Sequence, residues 1–500
     1  MEKSIIDELV LEYPEIEHFK KGFPNIGSRA DCSPFGEATS KICEAWEFYD
    51  KDLYDIPVDK EIIKLGNGNP LSYKAFPLAK KYLKKELNKE LYQYSAAAGD
   101  EGHRENIAKY LIQEGYPQYI DYNNVIITDS TTNGFYLILK ALFKPYDVII
   151  MTSPNYGLFA FMPERMNVGV ELVQLSKDND FIIRPDDLNK KIVEINKVLK
   201  EKYKDKLNYV PRVRAFLNIN PHNPLGTVLS HNDIEVLEGI GEVCHKNKVF
   251  IIDDLIYRDL SYDKNAKAMP IGTIVKYFDN TISLFGLSKS YGLAKTRTGF
   301  VVANDKVIRL LRDNVFYMKD SASVLQSSML AGVYNDTEER KREYFKYFNN
   351  LIPKYLLNCY LCMALFDGIE SVKGTFYYKK ILKLLKKNIK DKNLLNKVKS
   401  GVPYAKTVLE PKSGFFLLVD FTDLRRTGLI NNEKDLLIYL YKKCGIKFLV
   451  GQSFSWPYSD EIIMRMTYSL SPKVLIEAVS SINIAIRDGI SETNRGNNKS

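Results

Sequence analysis

Short runs rich in Val and Ile recur between residues 120 and 305, each separated from the next by a stretch of helical periodicity. They are Asn124–Thr128, Asp147–Met151, Val213–Asn218, Val249–Asp253, Thr281–Phe285 and Gly299–Ala303. Strands apolar on both faces, with helices between them, predict a mainly parallel sheet covered on both sides. Beyond about residue 330 the pattern changes to long helices and a few alternating strands, such as Gly414–Asp420 and Ile462–Thr467. That change predicts a second, smaller α+β domain. The first sixty residues are irregular and partly helical, with Trp46-Glu-Phe-Tyr49 as an aromatic anchor to the main body. Two lysine-rich stretches, 189–207 and 371–400, read as amphipathic helices, with Ile381, Leu382, Leu384, Leu385 and Ile389 on one side of the second. A basic amphipathic helix can lie on a membrane surface, but an inserted surface helix with a solvated lysine face fits the pattern better. The polar end, residues 491–500, predicts a disordered tail.

Composition narrows the function classes. The chain has 500 residues, 45% hydrophobic and 27% charged, which is enough for two or three domains with substantial cores. A net charge of +9 is modest at this length and falls short of a nucleic-acid-binding signature. No apolar run approaches a membrane span, and the start, Met1-Glu-Lys-Ser-Ile-Ile-Asp-Glu8, lacks the apolar core of a secretion signal. Six scattered cysteines fit a reducing compartment; Cys359-Tyr-Leu-Cys362 has redox or metal spacing but no second pair. The expectation is a cytoplasmic enzyme of small molecules, with no metal, nucleic acid or membrane as partner.

Candidate chemistry centres on Lys289, in Leu284-Phe-Gly-Leu-Ser-Lys289-Ser-Tyr-Gly, with Arg297 eight residues on. A lysine on a buried turn loses hydration, its pKa falls, and its amine can attack a carbonyl. An arginine nearby suits a phosphate dianion, so the pair points to pyridoxal 5'-phosphate (PLP). Asn220-Pro-His-Asn223-Pro-Leu-Gly226 forces a turn at a strand's carboxyl end, where open α/β sheets hold ligands. Ile251-Ile-Asp253-Asp254-Leu-Ile-Tyr257 ends a buried strand in carboxylates, which need a cation to meet them, and a pyridinium nitrogen is one. Ser130, Thr131 and Thr132 start a helix, where N–H groups and hydroxyls suit a phosphate. Tyr156 ends the next strand with an aromatic able to stack on a pyridine ring.

The ordered set resembles the class I/II aminotransferases, the aspartate-aminotransferase-like family of fold type I PLP enzymes, over roughly residues 62 to 485. It comprises Gly66-Asn-Gly68-Asn-Pro70, Tyr94 with Gly99, the helix start at Ser130, Asn220 to Gly226, Asp254 with Tyr257, Ser288-Lys289 with Arg297, and the late Arg465. The resemblance implies a large domain, 65–330, with a mainly parallel seven-stranded sheet sandwiched by helices. It also implies a small α+β domain, 331–490, with a lysine-rich insertion near 371–400, and an N-terminal arm and joining segment, 1–64. By resemblance, Lys289 carries the cofactor as a Schiff base and moves the substrate α-proton, and Asp254 pairs with the pyridinium nitrogen. Asn223 and Tyr257 bond the ring oxygen, and Tyr156 stacks on the ring. Ser130, Thr131, Thr132, Ser288 and Arg297 hold the phosphate, joined by Tyr94 reaching across a homodimer. Arg465 binds the substrate α-carboxylate, with Gly68 and Asn223 beside it. Two positions depart from the family pattern: Gly286 stands where a Ser or Thr is usual, and Ser130 where glycine is frequent.

These motifs are shared by transaminases and by relatives that eliminate, decarboxylate or cyclise. Transfer of an amino group between an L-amino acid and a 2-oxo acid is the commonest use of the set and is the expected reaction. The alternative is a lyase, decarboxylase or cyclase resembling aminocyclopropane-carboxylate synthase or aspartate 4-decarboxylase. A regulator with a degenerate PLP domain is disfavoured by the intact Lys289, Asp254, Arg297 and Arg465. Asp31 and Glu37, ahead of the glycine loop, would favour a donor with a cationic side chain.

Overall fold

The computed structural model describes residues 38–204 and 206–497. A short strand, β1 (Ile63–Lys64), precedes a large sheet. In chain order the large sheet contains β2 (Val125–Thr128), β3 (Val148–Ser153), β4 (Gly169–Gln174), β5 (Val213–Ile219), β6 (Phe250–Asp254), β7 (Thr281–Gly286) and β8 (Gly299–Val302). Across the sheet the order is β2-β8-β7-β6-β5-β3-β4, and only β8 runs antiparallel to its neighbours. Every residue of β2, β3, β7 and β8 is buried, because helices cover both faces. The expected mainly parallel seven-stranded sheet is therefore present. β4 is missing from the predicted strands because it lies at the edge, where Leu172 and Gln174 keep exposed surface and break the apolar run.

The direction of connection reverses at β3. β4 lies on one side of it, while β5, β6, β7 and β8 step away on the other. Ligands of open α/β sheets sit beyond the carboxyl ends of strands at such a reversal. Tyr156, Asn223 and Asp254 all lie on or just after those ends.

The carboxyl-terminal part builds a four-stranded antiparallel sheet from β9 (Lys406–Thr407), β10 (Phe416–Asp420), β12 (Leu449–Val450) and β13 (Ile463–Thr467), in the order β12-β13-β10-β9. The strand β11 (Ile446–Lys447) pairs instead with β1. This pairing draws the loop after β1 onto the small sheet, where Gly66 N–H donates to Lys447 O at 2.9 Å and Thr467 N–H to Leu65 O at 2.6 Å. A 30-residue helix, Glu338–Asp367, capped by Thr337, packs Tyr355 in a stacked pair with Phe415 next to β10. The aromatic anchor holds as expected: Trp46 Nε1 donates to Ser453 O at 2.8 Å.

Three predicted elements change. The helix expected over 189–207 runs over Pro185–Tyr203, with Pro185 in its first turn. The stretch 371–400 forms two helices, Tyr378–Asn388 and Lys392–Lys399, because Asp391 caps the second by accepting from Leu394 N–H at 2.7 Å. The tail expected to be disordered is largely the end of a helix, Pro472–Asn497. Asp31 and Glu37 lie outside the described residues.

β8 begins where the helix Thr131–Leu142 starts, and the fit is tight. A Cβ on Gly299 would lie 2.8 Å from the Phe285 carbonyl oxygen, 2.8 Å from the Ser130 carbonyl carbon and 2.9 Å from Thr131 N. All three are backbone atoms, so no side chain can yield. Gly299→Ala should lower the unfolding free energy by about 1–3 kcal/mol in urea titration. Gly374→Ala, with nothing within 4 Å of the added carbon, is the matched control, and equal stability of the two variants would contradict this packing.

Candidate active site

The Lys289 amine donates to the Gly68 carbonyl at 2.7 Å. Lys289 keeps some exposed surface along its chain, but its amine is enclosed, and burial lowers its pKa to about 8, aided by the Arg465 and Arg297 charges. The loop carrying Gly68 also delivers the Gly66 carbonyl, which accepts from Arg465 Nη2 at 2.7 Å. Arg465 Nη1 donates to Asn223 Oδ1 at 3.2 Å, and its guanidinium lies 4.1 Å from the centre of the Phe416 ring. Arg465 is buried, and its Nε has no hydrogen-bond partner. A buried guanidinium with a free donor is an anion site in waiting.

Asp254, at the end of β6, is buried, and burial pushes its carboxyl up to about 7 against one opposing bond, from Ile256 N–H at 3.2 Å. Asp253 points the other way, where Asn218 Nδ2 at 2.8 Å and Ile271 N–H at 2.9 Å hold it. Burial raises Asp253 to about 7 as well. Tyr257 and Tyr156 feel the charges of Arg465 and Asp254, and burial keeps both phenols protonated well into the alkaline range. Lys289, Asp254, Asn223, Tyr257, Tyr156, Gly68 and Arg465, chosen from scattered parts of the sequence, therefore meet in one buried cluster.

The other predicted residues are placed around it. Ser130 is buried at the helix start and caps Asn133 N–H at 3.4 Å, leaving the N–H groups of Thr131 and Thr132 with no carbonyl behind them in the helix. Ser130 has φ +91° and ψ 165°, a conformation almost confined to glycine, which accounts for the glycine usual there. Gly286 sits against the same helix start. A Cβ there would lie 2.8 Å from Ile256 Cδ1 and 3.2 Å from Thr131 Cγ2, so Ile256 occupies the space a Ser or Thr would need. Ser288 is buried next to the lysine. Arg297 takes a left-handed conformation and is exposed, with Nη1 donating to Ala294 O at 3.2 Å. Tyr94 is 87% exposed and lies apart from the cluster.

Several residues of the site escape motif reading. Phe416 supports Arg465 from β10, and only its place in an alternating strand marked it. Tyr49 comes from the N-terminal helix Ala38–Asp50, and a Cβ on Gly66 would lie 2.5 Å from its hydroxyl. A brace joins the lysine loop to the Asp254 loop: Ser290 Oγ donates to Ile256 O at 3.3 Å and Tyr291 Oη to Asp259 Oδ2 at 2.7 Å. Asp259 also accepts from Tyr344 Oη at 2.8 Å and pairs with Lys267 at 2.9 Å. Burial would raise its pKa, but Lys267 and Arg258 outweigh burial and hold it well below the usual carboxylate range.

Comparison with known proteins agrees with this geometry. The family model "Aminotransferase class I and II" matches residues 60–352, and the chain belongs to that family. The aspartate aminotransferase of Pyrococcus horikoshii is 24% identical over 85% of this chain and 91% of its own length. Aromatic-amino-acid aminotransferase 2 of Thermococcus litoralis is 26% identical, covering 73% and 87%. Among solved structures, an aminotransferase from Escherichia coli has a TM-score of 0.65 at 17% identity, covering 89% of this chain and 94% of that one. The aromatic aminotransferase of Pyrococcus horikoshii has a TM-score of 0.64 at 20% identity, covering 87% and 98%. The protein is an enzyme of the class I/II aminotransferase type, as expected from its sequence.

The site also fits PLP on its own evidence. It offers an enclosed lysine, a buried acid raised by burial with only the Lys289 charge to oppose it, a buried arginine with a free N–H, and the N–H groups of Thr131 and Thr132 in the first turn of a helix. In the cofactor-free protein, Lys289 should react with an aldehyde reagent at half its plateau rate near pH 8, where an exposed lysine is still almost wholly protonated. The pH profile of labelling at that residue reads this directly. A rate still climbing above pH 10 would contradict the enclosure.

Proposed function

We propose that the enzyme moves an amino group between an L-amino acid and a 2-oxo acid, with PLP tethered to Lys289 as a Schiff base. One observation carries the reading: a lysine amine of lowered pKa, a buried acid and a buried arginine with an unfilled donor meet in one buried cluster. When bound, PLP supplies an electron sink for negative charge developing at the substrate Cα. Everything else falls to the chain's own residues.

Arg465 receives the substrate α-carboxylate through two parallel N–H bonds, exchanging its contacts with the Gly66 carbonyl and Asn223 for a charged partner. Phe416 beneath it fixes the plane of the guanidinium. Lys289 Nζ would take and hold the proton from the substrate Cα, a role suited to an amine that titrates near pH 8. Asp254 would hold the ring nitrogen in its protonated form. Tyr257, kept protonated by burial, would donate to the ring oxygen, joined by Asn223. Tyr156 would pack on the ring. Thr131 and Thr132 offer N–H groups and hydroxyls to the phosphate, with Ser130, Ser288 and Arg297 beside them.

The active enzyme is proposed to be a homodimer. The segment holding Leu91, Tyr92 and Tyr94 lies beside the one holding Phe316, Tyr317 and Met318, because Ala322 N–H donates to Ala96 O at 3.3 Å. All six apolar side chains are exposed, a patch of the kind that marks an interface. Tyr94 would then complete the partner's phosphate site. The proposed division into a cofactor-binding domain, 65–330, and a smaller domain, 331–490, puts Lys289 on one and Arg465 on the other. The five described cysteines are free and buried, which supports a reducing compartment such as the cytoplasm. Relatives named for aspartate and for aromatic amino acids make these the first donors to assay.

Mixing holoenzyme with a donor in the absence of a keto acid should replace the absorbance of the cofactor's aldehyde form by that of its amine form, and a keto acid should restore it. Arg465→Lys keeps the charge but loses the fork, and should cost about a hundredfold in kcat/KM for both substrates. Absence of the half-reaction with every amino acid would replace transamination by elimination if keto acid and ammonia accumulate together, or by decarboxylation if carbon dioxide is released.

A further inference from the structure

Residues 371–400 hold ten lysines and one aspartate, a formal charge of +9 that equals the charge of the whole chain. The remainder of the molecule therefore sums to zero. The segment lies beyond the stretch 60–352 matched by the family model, and nothing in the proposed reaction uses it.

The structure shows how these charges are presented. In the helices Tyr378–Asn388 and Lys392–Lys399, Ile381, Leu385 and Val398 are buried, as is Ile389 between them. The pair is pinned to the C-terminal helix, where Asn483 Nδ2 donates to Gly401 O at 2.6 Å and Arg487 Nη2 to Ser400 Oγ at 2.9 Å. The lysines are thus fixed facing outward, and all but Lys399 are exposed. Of these ten lysines, only Lys373 has a carboxylate of the described residues within salt-bridge distance, Glu370 at 3.0 Å. Lys379, Lys383 and Lys387 follow one another at four-residue spacing, where like charges repel. Phe376, at the start of this face, is 94% exposed, the highest value of any large apolar side chain described.

Three features select the partner. The segment contains no arginine, so it lacks the planar fork that reads phosphates of nucleic acids in pairs. Its apolar stripe is consumed in packing, which leaves Phe376 alone and no apolar centre for a protein interface. A diffuse anionic plane requires neither: point charges on flexible stems suit it, and one exposed aromatic suits the headgroup layer. We propose that residues 371–400 dock the enzyme reversibly on membrane surfaces rich in anionic lipid, with Phe376 entering the headgroups. No helix among the described residues could cross a membrane, so the association is peripheral.

The test uses full-length holoenzyme and vesicles of phosphatidylcholine with and without phosphatidylserine. Cosedimentation should occur only with the anionic vesicles and should vanish as salt rises from about 0.1 M to about 1 M, where the screening length falls from about 10 Å to about 3 Å. Replacing Lys379, Lys380, Lys383, Lys386 and Lys387 together by Gln should cut vesicle affinity at least tenfold, since each lysine at the surface counts for roughly fivefold. Transaminase activity and melting temperature should stay unchanged. Phe376→Ser should weaken binding severalfold, and with the salt series it carries the test if the five-Gln variant fails to fold. No binding of the unaltered enzyme to anionic vesicles overturns the proposal, as does undiminished binding by a folded five-Gln variant. Retention on RNA under conditions where vesicles are not bound overturns it too.

Discussion

The site turns on keeping one amine out of bulk water. A solvated lysine is a cation with no nucleophilic capacity at neutral pH; the Lys289 amine titrates near pH 8 because burial removes its hydration and two arginines oppose its charge. That enclosure is built from both parts of the chain. The β1–β11 pairing and the Thr467-to-Leu65 bond fix the loop that places Gly68 over the amine. Ser290 and Tyr291 then bolt the lysine loop to the Asp254 loop. The same dryness drives Asp254 upward while Lys289 falls, so the two groups approach a common titration range from opposite sides. In cofactor-free protein a raised carboxyl stabilises the fold below its unfolded pKa near 3.8, and that stability is lost as pH rises to about 7. A cation against Asp254 reverses the penalty, which makes the acid a receptor for a protonated ring nitrogen.

Much of this was legible in the residues, for reasons that differ from place to place. The runs of β2, β3, β5, β6, β7 and β8 were readable because both faces are covered and Val, Ile, Leu and Phe dominate them. β4 was not, because Glu171 and Gln174 interrupt its apolar run and Leu172 and Gln174 keep exposed surface. The two helices in 371–400 look like one because Lys390 and Asp391 belong equally well to a helix interior by composition; only the cap at Asp391 breaks them. Motif spacing found the residues that the fold gathers around Lys289 and Arg465 from single loops. Phe416, Tyr49 and the Asp259 brace were missed because they act through contacts between separate elements and through burial, which no local pattern encodes.

The two departures from the family pattern turn out to be neighbours. Ser130 and Gly286 flank the same helix start, and Thr131 touches the space above Gly286. A serine held at φ +91° costs about 1–3 kcal/mol relative to glycine. A hydroxyl is thus present on the helix side of this corner and missing on the strand side, where Ile256 fills the gap. Arg297 and Tyr94 are both exposed in the single chain, Tyr94 apart from this corner.

The central claim is that Lys289, and no other lysine of the chain, bonds the cofactor. Borohydride reduction of PLP-loaded enzyme, followed by protease digestion and mass spectrometry, tests it most directly. The account predicts one stoichiometric pyridoxyl mark on the peptide containing Ser288-Lys289-Ser290, and none on that peptide after Lys289→Ala. A mark on another lysine, or stable loading at an unmodified Lys289, would contradict it.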